Sequence, residues 1–372
     1  MKYFIYYLLL LPLSLFANDG AYYVNGNQLI PIMETDISVK KEVLKIERKN
    51  KEQVTVSVYY EFYNPGNAKQ LLVGFEAASP YGDAKVSPVD GHHPNISDFS
   101  VKMNKQSLLH NIAIVSDSIY YRNGTFKNLT NEEIREATFD GWTEFFYVYY
   151  FKANFKKGLN IVGHTYICDL SSSVMESYSF DYILTAANRW GNKQIDDFTL
   201  IIDMGHYQDF YIKNTPFSTP SNWNVNGTGK KADNVRYSIY HEENEVQQLW
   251  TNFFIRKGEI IYKELNFRPK AELKIVSKRA AAYISYPFNY KETPHISYGL
   301  LDDNTYEIEA ADDMSKRILR NLPFACRGYV FSNPQLKKYF SRQIWYEPDP
   351  DYKGGLESLT IEEQEWVKRY SN

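Results

Sequence analysis

Between Met314 and Tyr346 the chain carries seven cations, Lys316, Arg317, Arg320, Arg327, Lys337, Lys338 and Arg342, and no Asp or Glu. Phe324, Tyr329, Phe331, Tyr339, Phe340, Trp345 and Tyr346 are interleaved with them. A guanidinium is a planar fork that matches carboxylate or phosphate, and aromatic faces stack on sugar rings and cations. Such a set could hold an anionic glycan, lipid or protein. The candidate ligand-binding residues are Arg320, Phe324, Arg327, Tyr329, Lys337, Lys338, Arg342, Trp345 and Tyr346. Two other readings compete. In one, Lys and Arg keep helix surfaces soluble and the aromatics fill the core of a small module, whose poor surface-to-volume ratio demands large side chains. In the other, the basic stretch docks in cis on the acidic residues Asp302, Asp303, Glu307, Glu309, Asp312 and Asp313.

Other chemistry is less specific. No G-x-S-x-G and no H-E-x-x-H occurs, which removes the usual serine-hydrolase elbow and zincin helix. Gly227-Thr228-Gly229-Lys230 has some look of a phosphate loop, but Lys231 stands where Ser or Thr would hold the metal, so a hairpin turn fits better. His92 and His93 lie in a Pro/Gly-rich loop and, being adjacent on an extended chain, point opposite ways; they read as a surface pair. His164 and Cys168 share a strand face but are about 13 Å apart by strand rise, too far for a nucleophile and its base. They read as a hydrogen-bonded imidazole and a packed thiol. A glycosidase needs only two carboxylates about 5–9.5 Å apart. With 45 Asp plus Glu, any fold supplies such pairs, so no catalytic residue is singled out. No metal site and no cofactor is implied.

The elements that must position these residues change along the chain. Val54, Val56, Val58, Tyr60 and Phe62 alternate with polar or half-wet neighbours, the period-two pattern of a strand with one buried face. Asn64-Pro65-Gly66-Asn67 breaks it, and a return strand follows at Leu71 to Ala77. Further strand-like runs continue to Val276, and in this region only Thr130 to Ala137 looks helical. Without crossover helices, antiparallel sheets packed face to face are expected, so residues 18–276 read as one large or two packed β-sandwich domains. Residues 277–311 read as an acidic, partly extended linker. Residues 312–372 read as a small α-rich module. Ser332-Asn333-Pro334 opens one of its helices, and the capping box Thr360 to Glu363 opens another. Pro323 should break the helix near Asn321 to Pro323, since a mid-helix proline costs about 3 kcal/mol. The fold class is thus mainly β with an α-rich carboxyl-terminal module.

Met1 to Ala17 has the form of a secretory signal peptide: Lys2, an apolar run from Ile5 to Phe16, then a small residue. The run is too short to span a bilayer, which takes about 20 residues. No later segment is long and apolar enough, so the mature chain is not expected to span a membrane. Hydrophobic residues at 44% and charged residues at 23% are those of a globular protein. A net charge of −3 argues against general nucleic-acid binding. Cys168 and Cys326 lie in different expected domains and read as two separate buried thiols.

The carboxyl-terminal module resembles the YARHG domain, a small extracellular bacterial module. The resemblance is carried by Ile318-Leu319-Arg320-Asn321, Phe324-Ala325-Cys326-Arg327-Gly328-Tyr329-Val330-Phe331, Tyr339-Phe340 and Trp345-Tyr346-Glu347-Pro348. The naming motif is only partly kept, with Phe324, Cys326 and Arg327 in place of Tyr, Arg and His. The larger region resembles an uncharacterised family of secreted bacterial β-proteins. Its motifs here are Asp19-Gly20-Ala21, Phe62-Tyr63-Asn64, Val162-Gly163-His164-Thr165-Tyr166, Tyr182-Ile183-Leu184-Thr185 with Trp190, Phe198 to Asp203 and Phe267-Arg268-Pro269. The resemblances imply a secreted or periplasmic protein and a binding role, but no activity. The expectation is an exported envelope binding protein without catalytic activity. An envelope hydrolase with an unrecognised carboxylate pair would instead show a cleft with paired, pKa-shifted acids. A structural or adhesion component would show an exposed apolar-aromatic patch.

Overall fold

The computed structural model describes residues 20–22, 25–27, 29–32, 35–116, 127–139, 142–237, 248–301 and 307–371. The expected signal peptide and the acids Asp302 and Asp303 lie outside the described residues. Among those described, no helix is long and apolar enough to cross a membrane.

Strands of five residues or more are numbered here in chain order. They are β1 (Ser38–Arg48), β2 (Gln53–Asn64), β3 (Lys69–Ala78), β4 (Ile96–Met103), β5 (Asn111–Val115), β6 (Phe146–Phe155) and β7 (Gly158–Asp169). They continue as β8 (Glu176–Ile183), β9 (Ile195–Asp203), β10 (Gln208–Lys213), β11 (Asn224–Arg236), β12 (Leu249–Phe267) and β13 (Leu273–Lys278). The helices are α1 (Asn131–Glu136), α2 (Asp313–Cys326), α3 (Pro334–Phe340) and α4 (Ile361–Arg369). The chain is mainly β, with its longer helices gathered at the carboxyl terminus.

A 12-stranded sheet runs in the order 25–27, β8, β13, β10, β12, β9, β1, β2, β7, β4, 106–108, and β11 also pairs with β12. A second sheet, β5-β6-β3 with residues 29–31, lies against part of it. The alternation read in β2 is real, with Val54, Val56, Val58, Tyr60 and Phe62 all buried. Across the sheet-to-sheet interface, Phe75 of β3 meets Tyr166 of β7 at 4.8 Å between ring centroids, and Phe62 meets Phe155 edge-on at 5.7 Å. These face-to-face contacts make a sandwich whose first core takes in residues from Ile37 to Ile275. The large sheet is mixed rather than wholly antiparallel. β1 lies parallel to β9, with Leu44 opposite Leu200, and residues 25–27 lie parallel to β8.

Four local expectations change. The stretch at Gly227 to Lys231 belongs to β11, not to a loop. Gly227 (φ 146°) sits opposite Gly258 (φ 106°), and a Cβ on either would meet the facing backbone oxygen within 2.3 Å. The glycines therefore let two strands approach closely. His93 is buried rather than on the surface, whereas His92 is exposed. The segment expected to be a solvated linker contributes Ala280, Phe288, Ile296, Tyr298, Leu300 and Ile308 to a second core shared with α2, α3 and α4. Its acidic residues hid a set of apolar ones that pack without a regular period.

The last change is Pro323, which lies inside an unbroken α2. It removes the N–H that would have bonded the Leu319 carbonyl four residues back. That carbonyl accepts the Trp366 indole N–H of α4 instead, at 2.6 Å. A side chain from the last helix thus supplies the donor the proline lacks.

Candidate functional site

The helices of the carboxyl-terminal module start where their caps put them. Asp312 accepts from the Ser315 N–H at α2, Asn333 caps α3 ahead of Pro334, and Thr360 with Glu363 forms the capping box of α4. Their inward faces are apolar: Ile318, Leu319 and Leu322 on α2, Leu336, Tyr339 and Phe340 on α3, Trp366 on α4.

That packing separates the candidate residues. Trp345 is buried, donating its indole N–H to the Ile296 carbonyl at 2.6 Å, with its ring 4.8 Å from Tyr298. Tyr346 is buried and donates its hydroxyl to the Tyr329 carbonyl at 2.7 Å. Phe324 and Tyr329 are half-buried, their rings 6.4 Å apart. Arg327 grips the Glu363 carboxylate with both terminal nitrogens at 2.7 Å, each side chain only 12% exposed, and lies 5.0 Å from the Tyr207 ring. Arg320 is half-buried. Only Lys337, Lys338 and Arg342 of the set stand exposed, and they have no ion-pair partner among the described residues. The two lysines occupy the last turn of α3, where the helix dipole favours cations. The structure thus does not bring the nine residues together as one surface: Trp345 and Tyr346 are core, Arg320, Phe324, Arg327 and Tyr329 are half-buried, and three cations stand exposed.

It assembles a different group at the seam between the large sheet and the module. A cavity of about 250 Å³ is lined by Asp209 and Tyr211 of β10, Lys278 at the end of β13, His295, and Ile344 with Trp345 of the module. The Lys278 ammonium lies 5.2, 5.0 and 4.7 Å from the ring centroids of Tyr211, Tyr237 and Tyr283. Tyr237 is steadied by donating to Glu176 Oε1 at 2.8 Å and by packing on Tyr211 and Trp250. Burial holds the Lys278 ammonium below the usual lysine range, against the opposing pull of Asp209. The Asp209 carboxylate receives Asn252 Nδ2 at 2.8 Å and Ser297 Oγ at 2.7 Å. Burial raises its pKa, and these two donors counteract the rise. Among the described residues lining the cavity it is the only carboxylate. Apart from Trp345, no sequence signal marked this group: its three tyrosines are scattered from 211 to 283, and Lys278 looks like Lys274 four positions earlier.

The remaining suspects are structural. His164 and Cys168 are both buried in the first core, and burial pushes the Cys168 thiol well up, leaving no thiolate nucleophile. His164 has no hydrogen-bond partner on either ring nitrogen, contrary to expectation. Cys168 and Cys326 are not joined in a disulfide and lie buried in separate cores, as expected. No group of three or more His, Cys, Asp or Glu among the described residues could hold a metal ion. Away from both large sheets, Phe139 and Trp142 of a two-stranded ribbon and Tyr81 of a short neighbouring strand are exposed, with the Tyr81 and Trp142 rings stacked at 5.2 Å.

Residues 297–372 match the YARHG domain family, a span that begins upstream of the expected boundary and takes in Ser297 and Tyr298 of the seam. A crystal structure described as a "putative nutrient binding protein" from Legionella pneumophila subsp. pneumophila str. Philadelphia 1 is similar with a TM-score of 0.52. The likeness covers 95% of this chain and 99% of that one at 17% identity, so it is a likeness of fold. No curated protein matches the sequence.

Proposed function

We propose that this is an exported protein of the bacterial envelope, secreted or periplasmic, which binds without catalysing. Its carboxyl-terminal module contacts an anionic cell-wall component or partner protein. The observation that carries this reading is the sorting of charge in the module. Arg327 is withdrawn into a bidentate pair, whereas Lys337, Lys338 and Arg342 face solvent on one short helix and the turn after it. Exposed cations attract a polyanion across about a Debye length, 8–10 Å at moderate salt, so such binding weakens as salt rises. A hydrolase is less well supported: among the described residues the seam cavity offers one carboxylate where paired acids are needed, and in the cavity lined by Asp181 and Glu272 the Glu272 carboxylate is already taken up by the Leu184 and Thr185 N–H groups and the Thr185 hydroxyl. The exposed Tyr81, Phe139 and Trp142 favour adhesion as a second reading.

The test is co-sedimentation of the whole chain with sacculi and with anionic vesicles over a salt series. Binding at low salt that fades with added salt, and that K337E/K338E/R342E abolishes, is the expected result. Absence of low-salt binding, or binding indifferent to the triple charge reversal, would refute the assignment.

A further inference from the structure

The caged ammonium at the seam points to a second site, independent of the exposed cations. Lysine usually extends into water or pairs with a carboxylate. Lys278 does neither: it is half-buried, makes no ion pair among the described residues, and has three tyrosine rings around its nitrogen. Rings stabilise the charge through their faces but accept none of its three N–H donors conventionally. None of those donors has a protein acceptor among the described residues, and the side chain lines an open cavity. The Asp209 carboxylate is already held by Asn252 and Ser297. The ammonium is thus fixed in place with its donors unspent, beside walls of Tyr283, Ile284 and Ile344.

We propose that the seam cavity binds a small organic carboxylate, its anionic end on the Lys278 ammonium and its apolar body between the tyrosine cage and Ile344. A volume of about 250 Å³ holds roughly eight waters at about 30 Å³ each, which limits the ligand to about as many heavy atoms. An anion is favoured over a cation because the cage already encloses a positive charge. One wall comes from the sheet and the other from the module, so occupancy bridges the two.

The test is calorimetric titration of the whole chain with benzoate and hexanoate, each against its neutral amide, and with inorganic phosphate alone. At least one carboxylate should saturate, with its amide about tenfold or more weaker, since hydrogen bonds to a charged group contribute roughly 1.5–3 kcal/mol. Phosphate should compete poorly, having no apolar body. Lys278→Met should cost the carboxylate about tenfold and leave the amide unchanged, whereas K337E/K338E/R342E should leave the carboxylate unchanged. Equal binding of acid and amide, phosphate as strong as the carboxylates, or no saturable carboxylate binding would each overturn the proposal. These comparisons use the unaltered protein and hold even if Lys278→Met fails to fold. Loss of carboxylate binding in the triple charge reversal would overturn the independence of the two sites.

Discussion

Acid should unfold this protein through two histidines before its carboxylates are exhausted. His164 of β7 is fully buried among Tyr60, Phe75, Phe99 and Tyr166, with neither ring nitrogen hydrogen-bonded. Burial alone lowers its pKa from 6.5 to about 3. His93 makes two bonds: its Nε2 donates to the Ala78 carbonyl at 2.9 Å, which favours the charged ring, and its Nδ1 accepts the Asn95 N–H at 3.1 Å. Burial lowers its pKa to about 4. A folded pKa below the unfolded one means that the unfolded chain binds more protons. The associated stability is complete above about pH 6.5 and drains as pH falls through that value toward the folded pKa. Near pH 4.5, two units below 6.5, each histidine has cost about 2.7 kcal/mol at 1.36 kcal/mol per unit, roughly 5 kcal/mol together. That rivals the whole stability of a marginal fold, about 5–15 kcal/mol. Asp181 and Asp209, whose pKa values are raised by burial, change in the opposite direction and soften the loss. His164→Phe isolates one term by keeping an aromatic ring in the slot and removing the titration. Urea unfolding near pH 7.5 and near pH 4.5 should show the variant's advantage over the parent widening by about 2.7 kcal/mol. An advantage that is the same at both pH values would refute the claim that His164 stays neutral in the folded state.

Two further measurements probe the module. Glu363→Gln leaves Arg327 partly buried without its counter-charge, and about 3 kcal/mol of stability should be lost in urea unfolding. Trp366→Phe should cost about 1–3 kcal/mol by orphaning the Leu319 carbonyl. The same change in a Pro323→Ala background should cost less, because alanine restores the helical N–H. A double-mutant cycle giving no coupling would sink that explanation.

What was legible in the sequence was periodic or capped. The alternation in β2, the helical look of Thr130 to Ala137 and the capping box at Thr360 are local signals, and the structure repeats them. Long-range pairing left no such trace: nothing local to Ser38–Arg48 says that it will lie parallel to Ile195–Asp203. The Gly227 stretch misled because glycine marks a turn and a close strand approach equally well. The segment after β13 misled because acidic residues were weighed and the aperiodic Phe288, Ile296 and Tyr298 were not. Among the candidate site residues, charge type could be read but direction could not. Whether Arg327 faces solvent or Glu363 depends on where α4 lands, and the Lys278 cage draws on residues from three separate stretches of chain.

The strand β12 carries Phe253 and Ile255 into the first core and Phe254 into the second. A slip of one residue would exchange these faces, presenting Phe254 to the sandwich and withdrawing it from the module. Most strands with a wet side are held in register from one side only. This one is keyed from both, so each half of the molecule serves as the other's template for alignment.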